Sequence, residues 1–321
     1  MSSSQAVEPI LTAAGGKAAT LLAEAETRIL DLAGSSEGVI APFAYQSVAA
    51  GGKRLRPLLT VLSAGLAPQD PEAVVRAAAA VELVHAATLV HDDVLDRSDI
   101  RRGQPTVVSA AGRTMATAVG DLLFAKAFGE LVTSGAEAVA TLAAAGSDLA
   151  RGELMQRADE WNLHVSEQRF LARCELKTAR LFEAAASLGA QAGGLDPALP
   201  VAFGRSVGIA FQLLDDVLDV SGPPEITGKP RGADLLDGTV TLPLILATKI
   251  DPSLLDIDLR SLDTDSAAVV CDRIEETGAL ELVRSRAVAL VNDASGIARQ
   301  MDGWATEAFV LVASTVVERN A

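Results

Sequence analysis

Breakers in this chain recur at helix-length intervals, and almost nothing between them alternates with the two-residue period of a strand. Ala, Leu, Glu and Arg fill the intervening stretches, and such residues lose little freedom in a helix. Helices are therefore predicted over 8–32, 38–50, 56–66, 71–95, 106–132, 136–162, 166–192, 199–221, 235–249, 266–276, 279–301 and 303–319. The breaks fall at Gly51-Gly52, Pro68-Gln69-Asp70-Pro71, Ser134-Gly135, Gly193-Gly194, Gly222-Pro223-Pro224 and around Asp251-Pro252. No Gly/Ser-rich linker or shift in composition divides the 321 residues, so a single all-α domain of long packed helices over 1–321 is expected. Residues 1–7, rich in Ser and Ala, read as a frayed tail. Residues 221–234 hold Gly222, Pro223, Pro224, Gly228, Pro230 and Gly232, which speak against regular helix and suggest a mobile lid beside a site.

Composition narrows the possible partners. An apolar fraction of 49% with 21% charged residues supplies a sizeable core. The net charge of −15 argues against nucleic acid, whose readers need an extended basic face. Yet Lys53, Arg54 and Arg56 cluster, as do Arg97, Arg101 and Arg102, and cationic islands on an acidic protein suit a small anionic ligand. The longest charge-free run, Gly38 to Gly52, is too short for a membrane-spanning helix, and no secretory signal pattern opens the chain. Cys174 and Cys271 have neither metal spacing nor framework density; free thiols and a cytoplasmic location are expected.

The pentapeptide Asp92-Asp93-Val94-Leu95-Asp96 recurs unchanged as Asp215-Asp216-Val217-Leu218-Asp219. Residues four apart share a helix face, so Asp92 points with Asp96 and Asp215 with Asp219. Such pairs repel unless a cation lies between them. Each motif also ends a strongly apolar stretch, Val81 to Val90 and Val207 to Leu214, which places it at the end of a buried helix. The ion expected is Mg2+, which takes a few carboxylates, several waters and phosphate oxygens. Two such clusters facing each other across a bundle would clamp a diphosphate through bridging metals. Unrelated acidic helix ends are the bland alternative, and repetition of the whole pentapeptide disfavours it.

Other residues fit an anion less specifically when taken singly. Gly51-Gly52-Lys53-Arg54-Leu55-Arg56-Pro57 sits at a helix start, where glycines allow close backbone approach and cations meet an anion. Arg101-Arg102-Gly103-Gln104-Pro105-Thr106 follows the first aspartates closely. Lys177-Thr178 lies among Leu176, Ala179 and Leu181, where a lysine more often snorkels than binds. His85 lies two turns before Asp92 on a similar face and alone reads as a core histidine. His91 and His164 have no evident partner.

Taken together, these motifs resemble those of the trans-isoprenyl diphosphate synthases, or polyprenyl synthetases, over roughly Pro42 to Arg319. The resemblance rests on GGKRLRP at Gly51, HDDVLDRSDIRRGQPT from His91, GD at Gly120-Asp121, GELMQ at Gly152, KTARLF at Lys177, FQLLDDVLD from Phe211, GKPRGADLLDG from Gly228 and TLP at Thr241. It implies an isoprenoid-synthase-type bundle of long helices around a deep central cavity onto which both aspartate motifs face, in a homodimer or with a small partner subunit. It implies that Asp92, Asp96 and Asp215 are Mg2+ ligands, with roughly three ions once substrate is bound, and that Asp93, Asp216 and Asp219 support that cluster. Lys53, Arg56, His85 and Arg102 resemble the isopentenyl diphosphate site. Arg101, Lys177, Thr178, Gln212 and Lys229 resemble contacts to an allylic diphosphate, whether geranyl, farnesyl or geranylgeranyl.

The chemistry implied is ionisation of the allylic diphosphate, attack by the isopentenyl double bond and loss of a proton, with water excluded. One departure stands out: Thr239 occupies a position where the family often carries Lys. Product length in such enzymes is set by bulk ahead of the first motif, and Ala87, Thr88 and Val84 are all small. A product longer than farnesyl, in the heptaprenyl to decaprenyl range, is therefore expected; the alternative is that bulk deeper down, such as Phe124 or Phe128, stops growth at geranylgeranyl. The rivals are a terpene cyclase, which would lack the second aspartate motif, and a non-catalytic subunit of a heteromeric synthase, which would have lost aspartates.

Overall fold

A computed structural model of the chain describes residues 3–223 and 230–318. Its helices are α1 Ser3–Ala14, α2 Gly16–Gly34, α3 Ala41–Ala49, α4 Leu55–Ser63, α5 Pro71–Asp96, α6 Val107–Leu131, α7 Ala136–Asp159, α8 Glu167–Cys174, α9 Arg180–Gly193, α10 Ala198–Ser221, α11 Ala233–Leu236, α12 Leu242–Ile250, α13 Thr264–Glu276, α14 Ala279–Ala298 and α15 Thr306–Glu318. Among the described residues the only strands are β1 Ile100–Arg101 and β2 Gln104–Pro105, a two-residue antiparallel pair. The fold is all-α, as the breaker spacing predicts.

The chain divides into two compact units, each assembled from separate stretches. The first comprises Met1–Gly146, Leu181–Gly204 and Gly296–Val312; the second comprises Ser147–Arg180, Arg205–Ser295 and Ala313–Ala321.

The first unit is organised on α5. Asp70 caps its start, its side chain accepting from the Ala73 amide at 2.9 Å, and Pro71 follows where no amide partner is needed. Most of its 26 residues are buried, with α2, α4 and α6 packed along it. By length and composition α5 could cross a bilayer, but 78% of its most apolar window is buried inside the protein, which marks a core helix. Phe203 and Phe309 meet edge to face at 4.9 Å in the same unit.

The second unit carries a feature that periodicity does not announce. Between α8 and α9, Glu175–Ala179 widens into a π-helical turn, and Lys177 and Thr178 lie in it. Cys174 and Cys271 are free and buried in this unit, and burial pushes the Cys271 thiol up to about 12.

Five expectations need correction. The helices predicted over 8–32 and 106–132 are broken at Gly15 and Gly112, whose φ of 88° and 82° a right-handed helix does not admit. Residues 3–7, read as a frayed tail, belong to α1. The helix predicted over 235–249 is two helices, α11 and α12, because the turn after Asp237 places Gly238 at φ 73°. Within 221–234, Ser221 closes α10 and Ala233-Asp234 open α11, so its ends are helical. Residues 224–229, the centre of the expected lid and including Lys229, lie outside the described residues.

Candidate active site

In the first unit, three elements bring cations to α5. The loop into α4 supplies Gly52, Lys53 and Arg54, α4 itself supplies Arg56, and the β1–β2 hairpin supplies Arg101 and Arg102. The hairpin turns on Arg102 and Gly103, both with positive φ, 52° and 74°, the pattern of a tight two-residue turn. The turn sets the Arg102 guanidinium over the backbone of Gly52, where a Cβ would stand 2.9 Å from one of its nitrogens.

The arginines divide by partner. Arg54 is structural: its Nε and one terminal nitrogen donate to Glu26 at 2.8 and 2.9 Å, the other donates to Glu82 at 2.5 Å, and Val48 O accepts at 2.7 Å. These contacts hold it at φ 48°, a strained conformation for a residue with a side chain. Arg56 instead stacks on the Phe182 ring at 4.4 Å, and its buried Nε has no hydrogen-bond partner among the described residues. Burial brings Arg56 down to about 10, Glu82 holding it up and Arg102 pushing it down. Burial, and then Arg56, Arg102, Arg101 and Arg54, drive the His85 imidazole well below its usual value of 6.5, so it is neutral at physiological pH. A buried guanidinium with an unspent donor beside a neutral imidazole is a site prepared for an anion.

On α5, half-buried His85, Thr88, Asp92 and Asp96 fall on one stripe, while Asp93 is buried on another face. Asp93 is claimed by the hairpin, with Arg101 Nε donating to its Oδ1 at 2.8 Å. Val84 and Ala87 are fully buried, and the Thr88 hydroxyl donates to the His85 carbonyl at 2.8 Å. His91 does have partners. Its Nε2 lies 3.3 Å from Thr117 O and 3.6 Å from Asp121 Oδ1, and its ring lies 5.8 Å from that of Phe124. Gly120-Asp121 is thereby explained, glycine leaving room for the ring and aspartate facing it. His164 is exposed, its backbone amide held by Asn162 Oδ1 at 3.1 Å.

In the second unit, Thr178, Gln212 and Asp216 form a chain. The Thr178 hydroxyl donates to Gln212 Oε1 at 2.7 Å, and Gln212 Nε2 donates to Asp216 Oδ1 at 2.8 Å. The other oxygen of Asp216 is buried with no hydrogen-bond partner among the described residues. Burial, then Asp234, raise the Asp216 carboxyl well above its usual range; Gln212 opposes them and Asp215 adds to the rise. Asp219 anchors the start of α11, its carbonyl and carboxylate accepting from the Gly232 and Asp234 amides at 2.9 and 3.2 Å. Lys177 is ion-paired with Glu153 and donates to Gln156 Oε1 at 3.2 Å. Gly152 makes this possible: a Cβ there would stand 2.7 Å from the Lys177 amide nitrogen.

Among the described residues no three carboxylates, imidazoles or thiols close around a point as a ready metal cage. The donor set still fits Mg2+, which prefers one or two carboxylates, waters and substrate phosphates to an all-protein cage. Asp216 has one buried oxygen with no hydrogen-bond partner among the described residues, and burial with Asp234 and Asp215 disfavours its ionised form, which a bound cation would stabilise. Residues that sequence reasoning passed over are Glu82, Glu153 and Gln156, each holding a cation in place. The last two stood visible in the GELMQ motif, but nothing local said that they meet Lys177.

Comparison with known proteins converges on one class, an all-α prenyltransferase. The family model described as polyprenyl synthetase matches residues 38–269. Heptaprenyl diphosphate synthase component 2 of Geobacillus stearothermophilus is 37% identical over 266 residues, covering 81% of this chain and 83% of that one. Geranylgeranyl diphosphate synthase of Methanosarcina mazei is 38% identical over 259 residues, covering 77% and 79%. The crystal structure of a polyprenyl synthase from Caulobacter crescentus, complexed with calcium and isoprenyl diphosphate, superposes with a TM-score of 0.90 at 34% identity, over 100% of this chain and 98% of that one. The chain belongs to the polyprenyl synthetase family.

Proposed function

We propose that the chain condenses isopentenyl diphosphate with an allylic diphosphate, head to tail, to give a long trans-polyprenyl diphosphate. The observation that carries this reading is the anion-ready cluster that Arg56 of α4 and Arg102 of the hairpin form with neutral His85 of α5, the helix that ends in Asp92 to Asp96. In the proposal Lys53, Arg56, His85 and Arg102 hold isopentenyl diphosphate. Arg101, Lys177, Thr178, Gln212 and Lys229 serve the allylic diphosphate, and the two aspartate motifs would hold Mg2+. Bound Mg2+ supplies stabilisation of negative charge as the diphosphate departs.

The chain's own groups then have distinct tasks. Arg56 and Arg102 fix the homoallylic diphosphate so that its double bond waits beside the allylic carbon. His85, kept neutral, offers a hydrogen bond without adding another full positive charge. Lys177 meets charge on the leaving group, and Thr178 with Gln212 orients Asp216. No side chain is needed as general base, since the departing diphosphate can take the proton.

A long product is supported by the small residues Val84, Ala87 and Thr88 ahead of Asp92. The two relatives compared above are named for heptaprenyl and geranylgeranyl products, which leaves the length to be decided by this chain's own side chains. The test is incubation of the purified protein with labelled isopentenyl diphosphate, each allylic primer and Mg2+, with products sized by chromatography. Products beyond C20 support the reading, products ending at C20 make it a geranylgeranyl diphosphate synthase, and no condensation with any primer favours a non-catalytic subunit.

A further inference from the structure

We propose that Thr239 positions Lys177 through Gln156, and that a neutral acceptor at 239 is part of how this chain binds its allylic diphosphate. The inference rests on Lys177 serving that diphosphate. Gln156 bridges the two residues: its Oε1 accepts from Lys177 Nζ at 3.2 Å, and its Nε2 donates to Thr239 Oγ1 at 3.4 Å. A side-chain amide has one acceptor end and one donor end, and only one orientation serves both neighbours. Turned over, the amide would aim N–H groups at an ammonium, which is itself only a donor. The Lys177 ammonium, a donor only, selects the productive orientation, and the Thr239 hydroxyl, accepting from Nε2, holds the amide in it.

Thr239 is well placed to do so because its backbone is held on both sides. Its amide donates to Asp234 O at 2.8 Å. Gly238 before it, at φ 73°, accepts from the Trp161 amide at 2.8 Å and has the indole packed where a Cβ would stand, 2.4 Å away. On the other side of the cradle, Glu153 is shared between Lys177 and Arg157. Burial alone would raise the Glu153 carboxyl, yet Lys177 and Arg157 hold it below the usual range. Its charge is therefore already spent on two cations. A lysine at 239 would be a donor only, would compete with Lys177 for Gln156 Oε1 and would bring a further positive charge beside Lys177. Threonine at this position is thus matched to Gln156 rather than a lost cation.

The experiment compares Thr239→Val, Thr239→Ser, Thr239→Lys and Lys177→Ala in steady-state assays, varying the allylic and the isopentenyl substrate separately. Loss of one hydrogen bond predicts an allylic KM raised about 5-fold in Thr239→Val, with the isopentenyl KM unchanged. Thr239→Ser is expected to behave as the parent, and Thr239→Lys to raise the allylic KM at least as much as Thr239→Val. An unchanged allylic KM in Thr239→Val, or a lower one in Thr239→Lys, overturns the inference. If Thr239→Val does not fold, Thr239→Lys decides alone. Lys177→Ala separates the two layers: a raised allylic KM there with none in Thr239→Val sinks only the role of Thr239. No change in Lys177→Ala removes Lys177 from the allylic site and the inference with it.

Discussion

The His91 imidazole fills the space that a side chain at Gly120 would need, since a Cβ there would stand 2.1 Å from Nε2. This contact locks α5 against α6 one residue before Asp92, so a packing detail sets where the first aspartate motif lies. Gly120→Ala forces the ring or the helix to move. It is expected to cost about 1–3 kcal/mol by overpacking. Urea denaturation measures this, and an unchanged midpoint would refute the contact.

Asp92→Ala removes half of the carboxylate pair on the half-buried stripe of α5. Mg2+-dependent condensation is expected to fall by a factor on the order of 10²–10³ or more, as when a group that stabilises developing charge is lost. Incorporation of labelled isopentenyl diphosphate measures it, and retained activity would remove Asp92 from the metal site.

Ala87→Phe adds bulk one turn ahead of Asp92, where the side chain is now fully buried. A shorter product is expected, read as a downward shift of the product ladder on chromatography. An unchanged ladder in a folded variant would place the growing chain elsewhere.

His85 makes stability depend on pH in a defined direction. The unfolded imidazole protonates near 6.5, while the folded one resists protonation because of burial and its arginine neighbours. Below about pH 6.5 the unfolded state binds a proton that the folded state refuses, so stability is lost as pH falls; above it His85 contributes no slope. The loss approaches about 1.4 kcal/mol per pH unit within that window. Replacing His85 with Gln is expected to flatten the acid side of the stability profile and leave the rest unchanged. Denaturation at a series of pH values checks it, and an unaltered acid side would show that His85 titrates normally.

Much of this molecule was legible locally. Helix content followed from residue preferences and breaker spacing, and the stripe of His85, Asp92 and Asp96 followed from the helical repeat. The break at Gly15 is local, with nothing packed against it, but other misjudged boundaries depend on distant partners. Gly238 breaks 235–249 with the Trp161 indole packed against it, and residues 221–234 end in helix partly because Asp219 anchors α11. The π-helical turn at Lys177 likewise left no mark in the periodicity.

The sequence by itself determined which chemistry is present and which residues share a helix face, because a helix brings residues four apart together whatever surrounds it. Tertiary structure alone decided how neighbouring cations divide their work. Arg54 and Arg56 are two residues apart in one motif, yet Arg54 is spent on Glu26 and Glu82 while Arg56 keeps a buried donor free of any described partner. Those acids lie in other helices, and what a charge meets depends on packing between elements, which spacing along the chain does not encode.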